Sequence, residues 1–245
     1  MLGMPTHYLR TLSGQHRRAD LNLNLARYLT FVAGAANAGG FLAVQQYTSH
    51  MSGIVASIGD NLALGHYELI FASLFALLSF LAGAACTAIL VNWGRRRQLH
   101  SLFALPLVLE AALLISFGLI GSSMATVILL CFLMGLQNAL ITKISKTEIR
   151  TTHVTGIVTD IGIELGKLFY WNDRSLSQTE GMVLASREKM RALFSLLLLF
   201  LLGGIVGAFG FQKVGSLFTI PLAGLLLLLA IVPVWDDLTL PRKSP

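Results

Sequence analysis

The sequence predicts an all-α polytopic membrane protein: six transmembrane helices and two short re-entrant helices, arranged as two inverted-topology repeats of three spans each. Three observations carry this expectation. The chain is 55% hydrophobic and only 12% charged, with a mean hydropathy of +0.72, whereas soluble domains carry about 25% charged residues. One motif occurs twice: His50-Met51-Ser52-Gly53-Ile54-Val55 is matched by His153-Val154-Thr155-Gly156-Ile157-Val158. The basic residues gather at the ends of apolar runs, as they do in the cytoplasmic loops of membrane proteins.

The duplication reaches beyond the motif. A second glycine follows at the same offset, Gly59 in one copy and Gly162 in the other, and an Asn-Ala pair precedes each, Asn37-Ala38 and Asn138-Ala139. The asparagine-to-histidine separations, 13 and 15 residues, differ by one short insertion. The expected division is a basic leader at 1–24, repeat 1 at 25–122, repeat 2 at 123–236 and a tail at 237–245.

Taken in order, the leader is polar and basic, and is expected to be disordered or to lie on the membrane surface. Span 1 covers about 26–44, where Gly34, Gly39 and Gly40 with neighbouring alanines make one surface for close backbone approach. Arg17 and Arg18 ahead of an apolar run, with Ala36-Asn37-Ala38, resemble a cleavable signal sequence. The same Asn-Ala pair at Asn138, deep in the chain, argues instead for a retained helix. The first motif opens a short helix at about 49–64, with Thr48 or Ser49 as its N-cap. At about 1.5 Å per residue such a helix is about 24 Å long, too short for a hydrocarbon core of about 30 Å. Span 2 (about 69–92) closes on Trp93 and Arg95-Arg96-Arg97, and span 3 (about 102–120) on the turn Gly121-Ser122-Ser123. Span 4 (about 124–142), a basic loop with Lys143, Lys146 and Arg150, and the second motif helix (about 152–168) repeat that order. A polar connection from Asn172 to Lys189 leads to span 5 (about 192–211) and span 6 (about 215–234).

Charge decides whether the motif helices cross. If both are re-entrant, the leader, the Arg95 run, the Lys143–Arg150 loop, the Arg174–Arg191 connection and the Arg242-Lys243 tail share the cytoplasmic face with both termini. If both span, several of these clusters land outside. The re-entrant arrangement, six spans with both termini cytoplasmic, is therefore expected; three crossings separate one repeat from the next, and an odd number inverts the second copy. Inverted repeats with interrupted helices near the midplane recur in transporters.

Residues Thr48-Ser49-His50-Met51-Ser52-Gly53 after Asn37-Ala38, with Thr151-Thr152-His153-Val154-Thr155-Gly156-Ile157-Val158-Thr159-Asp160 after Gln137-Asn138-Ala139, resemble the YoaK-like family of bacterial integral membrane proteins. Ile54 departs from the asparagine that relatives often carry after the first motif glycine. The resemblance implies a bacterial cytoplasmic (inner) membrane location and supplies no activity.

The candidate binding set is Asn37, Ser49, His50, Ser52, Gly53, Asn138, Thr152, His153, Thr155 and Gly156. An imidazole near the midplane can relay a proton or bind a solute; the alternative is that each histidine caps its own helix. The hydroxyls and the helix N-termini can hold an anion or polar solute, or merely satisfy broken backbone. The two motif glycines are expected to face one another near mid-depth. Glu110, the single formal charge between Arg97 and Lys143, is the proton-coupling candidate; its alternative is an inter-helix hydrogen bond. Asp160, Glu164 and Lys167 share a helical face that a solvated cytoplasmic end would explain.

Cys86 and Cys131 lie in apolar runs, without disulfide or metal-ligand spacing, so no cofactor or metal is expected. No nucleic-acid motif accompanies the net charge of +6. The function expected is a transporter or channel for a small polar or ionic solute, and not an enzyme. The alternatives are a non-transporting membrane partner or assembly protein, and an intramembrane enzyme using His50, His153 and Glu110. The partners expected are the lipid bilayer, that solute and, in a homo-oligomer, further copies of the chain.

Overall fold

The computed structural model describes residues 3–14, 21–45, 47–120, 124–145, 151–171 and 183–239, and these are mostly helical, with no strand among them. The helices are α1 (Gly3–Ser13), α2 (Asn22–Val44), α3 (Met51–Leu64), α4 (Tyr67–Arg96), α5 (Ala104–Ile120), α6 (Met124–Ile144), α7 (Val154–Phe169), α8 (Arg187–Val214) and α9 (Thr219–Thr239). Three stretches are long and apolar enough to cross a bilayer: Tyr67–Arg96, Ala125–Ile144, and the run Arg187–Thr239 that holds both α8 and α9. Met51–Leu64 and Ala104–Ile120 are apolar but shorter. Large apolar side chains point outward along α4 (Phe71, Phe75, Leu81, Ile89), α8 (Leu198, Leu201, Ile205) and α9 (Leu228, Ile231). A belt of that kind is solvated by lipid tails and not by water, so the chain is an integral membrane protein.

Helix pairing is ordered. Helix α2 lies along α8, α4 along α6, and α5 along α9; α3 leans on α4 and α7 on α8, while α2 and α6 meet at the centre. The two closest pairs are made by glycines whose backbones carry the opposite helix. A Cβ at Gly34 would lie 2.2 Å from the Phe200 carbonyl oxygen, and one at Gly203 would lie 2.1 Å from that of Phe31. In the α4–α6 pair the same reciprocity holds, with Gly83 at 1.9 Å from the Phe132 oxygen and Gly135 at 2.0 Å from the Phe80 oxygen. Any side chain at these four positions would push the helices apart. Each glycine follows a phenylalanine by three residues, so Phe-x-x-Gly is the crossing unit in all four helices. One turn further on, the Thr87 hydroxyl donates to the Leu136 carbonyl at 2.8 Å in one pair. In the other pair, Gly207 sits over the Ala35 carbonyl.

Three expectations are corrected here. The leader is no free arm: its described part is α1, which packs on α9. Leu12 is wholly buried, the Ser13 hydroxyl donates to the Leu229 carbonyl at 2.6 Å, and the Arg10 guanidinium grips both carboxylate oxygens of Asp236 at 2.6 Å. The glycines of α2 do not share one surface, since Gly34 and Gly39 face α8 while Gly40 faces Leu130 of α6. The sixth apolar run starts as a short 3-10 turn, Gly215–Phe218, and becomes α-helical only at Thr219. The turn at 121–123, Lys146, Arg150, most of the connection after Asn172 and the Arg242-Lys243 tail lie outside the described residues.

Candidate functional site

Each motif begins where an apolar helix has just ended and the chain must turn back. In the first half α2 stops at Gln45, which takes a left-handed conformation (φ 56°), and α3 starts at Met51. The bridge between them is held from the side by Asn37, whose Oδ1 accepts from the Ser49 amide at 3.3 Å and the Ser49 hydroxyl at 3.0 Å. In the second half Asn138 holds the corresponding bridge. Its Oδ1 accepts from the Thr152 amide and the Thr151 hydroxyl, each at 3.4 Å, and its Nδ2 donates to the Thr152 hydroxyl and to the Met134 carbonyl. The two asparagines thus do matching work: an amide side chain on a continuous helix satisfies backbone freed by the helix break.

This tether overturns the expected N-caps. Ser49 is engaged by Asn37, and the residue before each motif helix is the histidine: His50 (φ −91°, ψ 69°) and His153 (φ −82°, ψ 59°). Neither helix start has a side-chain cap hydrogen bond, so the histidines occupy the cap position without capping. Both imidazoles are exposed, and their placement depends on the glycine three residues later. A Cβ on Gly53 would lie 2.2 Å from His50 Cδ2, and one on Gly156 would lie 2.1 Å from His153 Nδ1. The motif glycines were expected to meet each other; the nearest atoms over each one belong to its own histidine ring. Gly59 and Gly162, the second pair of shared glycines, face open space.

The two motif starts converge on a cavity of about 840 Å³. Eight of the ten expected site residues line it: Asn37, Ser49, His50, Ser52, Asn138, Thr152, His153 and Thr155. Gly53 and Gly156 are not in its wall, because their place is behind the rings. The wall also takes Tyr47, Thr142, Phe80 and Phe200, and it contains no acid, lysine or arginine. Its electrostatics come from two imidazoles, from hydroxyl and amide groups, and from the N-terminal ends of α3 and α7, where partial positive charge gathers. Phe80 and Phe200 escaped the sequence reading. Their signal was the Phe-x-x-Gly spacing: the carbonyls of these phenylalanines rest on Gly135 and Gly34, which fixes their side chains at the cavity edge.

Glu110 stands apart. It is wholly buried on α5, is not in the cavity wall, and neither carboxylate oxygen has a hydrogen-bond partner among the described residues. The constellation of His50, His153 and Glu110 therefore does not assemble in this cavity, and no described partner makes the inter-helix hydrogen bond that was its alternative. Glu164 is also corrected. It is only 1% exposed instead of solvated, bonded by Lys167 Nζ at 2.9 Å and by the Ser186 amide at 2.8 Å, with Lys189 Nζ 3.9 Å away. The Lys167 ammonium and the Ser186 amide hold its carboxyl below the usual carboxylate range. Lys189 also reaches Asp160 at 3.8 Å, so the charged face of α7 ties it to the start of α8. Among the described residues no group of three or more His, Cys, Asp or Glu could hold a metal ion.

No curated protein and no solved structure matches the chain. A family does, as the doubled histidine motif implied, and its match over residues 25–232 takes in both tethering asparagines, both motif helices and all four crossing glycines. The chain belongs to the family described as "Protein of unknown function (DUF1275)".

Proposed function

We infer that the protein is a transporter or channel in the bacterial cytoplasmic membrane, passing a small polar or ionic solute through the cavity between two inverted repeats. The observation that carries this reading is the cavity itself, built from the same residues twice. Asn37 with Asn138 face it from continuous helices, and His50 with His153 and Ser52 with Thr155 face it from the starts of α3 and α7. Broken helices with polar side chains are tolerated in a bilayer where they line a watery or solute-filled space. The helix pairing supports a two-fold relation between the copies: exchanging α2 for α6, α3 for α7, α4 for α8 and α5 for α9 turns the α2–α8 contact into α4–α6 and the α3–α4 contact into α7–α8. In this reading α2, α4, α5, α6, α8 and α9 cross while α3 and α7 re-enter, with both termini cytoplasmic.

The test uses the purified full chain in proteoliposomes, with release of urea, formate, chloride and sodium followed after an osmotic jump. At least one probe is expected to move faster than through protein-free vesicles. Asn37→Ala and Asn138→Ala are expected to reduce that flux to a similar extent, since each removes an acceptor serving one helix start at a cost of about 1–3 kcal/mol. No acceleration of any probe, or a defect in one variant alone, would count against the reading. Inversion is checked separately with Tyr67→Cys and Leu184→Cys, which are expected to react with an impermeant thiol reagent from opposite faces; reaction from the same face would remove it.

A further inference from the structure

The central cavity continues differently at its two ends. On the α3 side, Tyr47 and His50 belong both to its wall and to the wall of a second hollow of about 400 Å³ between α3 and α4. That hollow has polar groups along it: Gln45, Ser57, Asn61 and Ser73 line it together with the two shared residues, beside Ile54, Leu69 and Ala72. The Ser57 and Ser73 hydroxyls are 2.8 Å apart, and Asn61 Nδ2 donates to the Ser57 carbonyl at 2.7 Å, so α3 presents a file of hydroxyl and amide groups to α4. Such groups at membrane depth face protein or water in preference to lipid. The His50 ring, seated on Gly53, stands at the partition between the two spaces.

On the α7 side the neighbouring hollow, about 420 Å³, is lined by Val154, Phe194, Leu197, Leu198, Phe200 and Leu201, with no polar side chain among them. The positions on α7 that correspond to Ser57 and Asn61 on α3 are Asp160 and Glu164. These are drawn against Lys167, Lys189 and the Ser186 amide at the start of α8.

We propose that the α3–α4 groove is the access route from one membrane face to the central cavity, with His50 and Tyr47 as its inner gate, and that the corresponding α7–α8 route is closed in this conformation. The proposal rests on the reading of the cavity as a solute site.

The experiment measures water access to the cavity wall. In the full chain with Cys86 and Cys131 replaced by alanine, Ser52→Cys is reacted with the impermeant cation methanethiosulfonate ethyltrimethylammonium in vesicles of each orientation. Reaction is expected only from the face at which Tyr67→Cys reacts. Filling the groove with Ser57→Phe is expected to slow it by about ten-fold, equivalent to about 1.4 kcal/mol on the barrier. Leu69→Trp, at an exposed position of the same wall, does the same work should the phenylalanine variant fail to reach the membrane. Leu198→Trp, in the apolar hollow, is expected to leave the rate unchanged. A rate indifferent to both groove fillings, or reaction from the opposite face, overturns the route. Labelling needs no transported solute: reaction through the groove without flux of any probe removes the transport reading and leaves the route. Flux with a labelling rate indifferent to the fillings does the reverse.

Discussion

At the residue scale the motif is a seat for a ring. His50 and His153 reach the cavity because the residue three positions later has no Cβ, and this explains why histidine and glycine recur together at fixed spacing. Gly53→Ala or Gly156→Ala would displace the imidazole while gaining about 1 kcal/mol of helix propensity. Melting in detergent is therefore expected to change little, while flux falls sharply. Gly59→Ala and Gly162→Ala meet nothing within 4 Å, so they are expected to stabilise by about 1 kcal/mol and leave flux alone. Equal loss of flux in all four variants would show that the ring seats are not special. The repeated asparagine, histidine and hydroxyl positions were legible because identical local problems were solved with identical residues. The N-caps were misread because Ser49 is claimed by Asn37, a partner twelve positions away that capping rules do not consult.

At the element scale, runs of apolar residues located the long helices to within a few residues, because hydrophobic length is a one-dimensional property. What α1 would do was not legible. Its docking depends on Asp236, more than two hundred positions away, and on a buried leucine that composition alone counts as part of a basic leader. The charged face of α7 was read as solvated for the same reason, since its partners begin α8. The tie gives a pH signature. Glu164 has a folded-state pKa below its unfolded value of about 4.3. Its contribution is therefore complete above that unfolded value and is lost as pH falls through the folded one. Thermal melting in detergent between pH 6 and pH 3 is expected to drop less steeply for Glu164→Gln than for the parent chain. Identical slopes would mean that the carboxylate adds nothing to the α7–α8 tie.

At the scale of the whole molecule one buried position stands out. Glu110 is buried with neither oxygen partnered among the described residues, a state that costs about 1–3 kcal/mol for an uncharged polar group and more for a charged one. Glu110→Leu is therefore expected to raise the melting temperature. If the carboxyl couples proton movement to flux, Glu110→Gln keeps the folded protein in the membrane and abolishes the pH dependence of flux. A destabilised leucine variant would instead mark Glu110 as a packing residue. The sequence marked this glutamate as unusual because it interrupts a long uncharged stretch, but only the packed helices show it outside the histidine cavity.

The four Phe-x-x-Gly crossings have a mechanical meaning of their own. Backbone seated on backbone in both directions leaves no side-chain slack, so α2 and α8 form one stiff strut and α4 and α6 form another. Each strut draws one helix from each copy of the duplicated sequence, so the bodies free to rock are not the two halves that the gene repeat defines. Shape change that preserves these seats must pivot strut against strut, and Phe200 of one strut and Phe80 of the other both border the cavity.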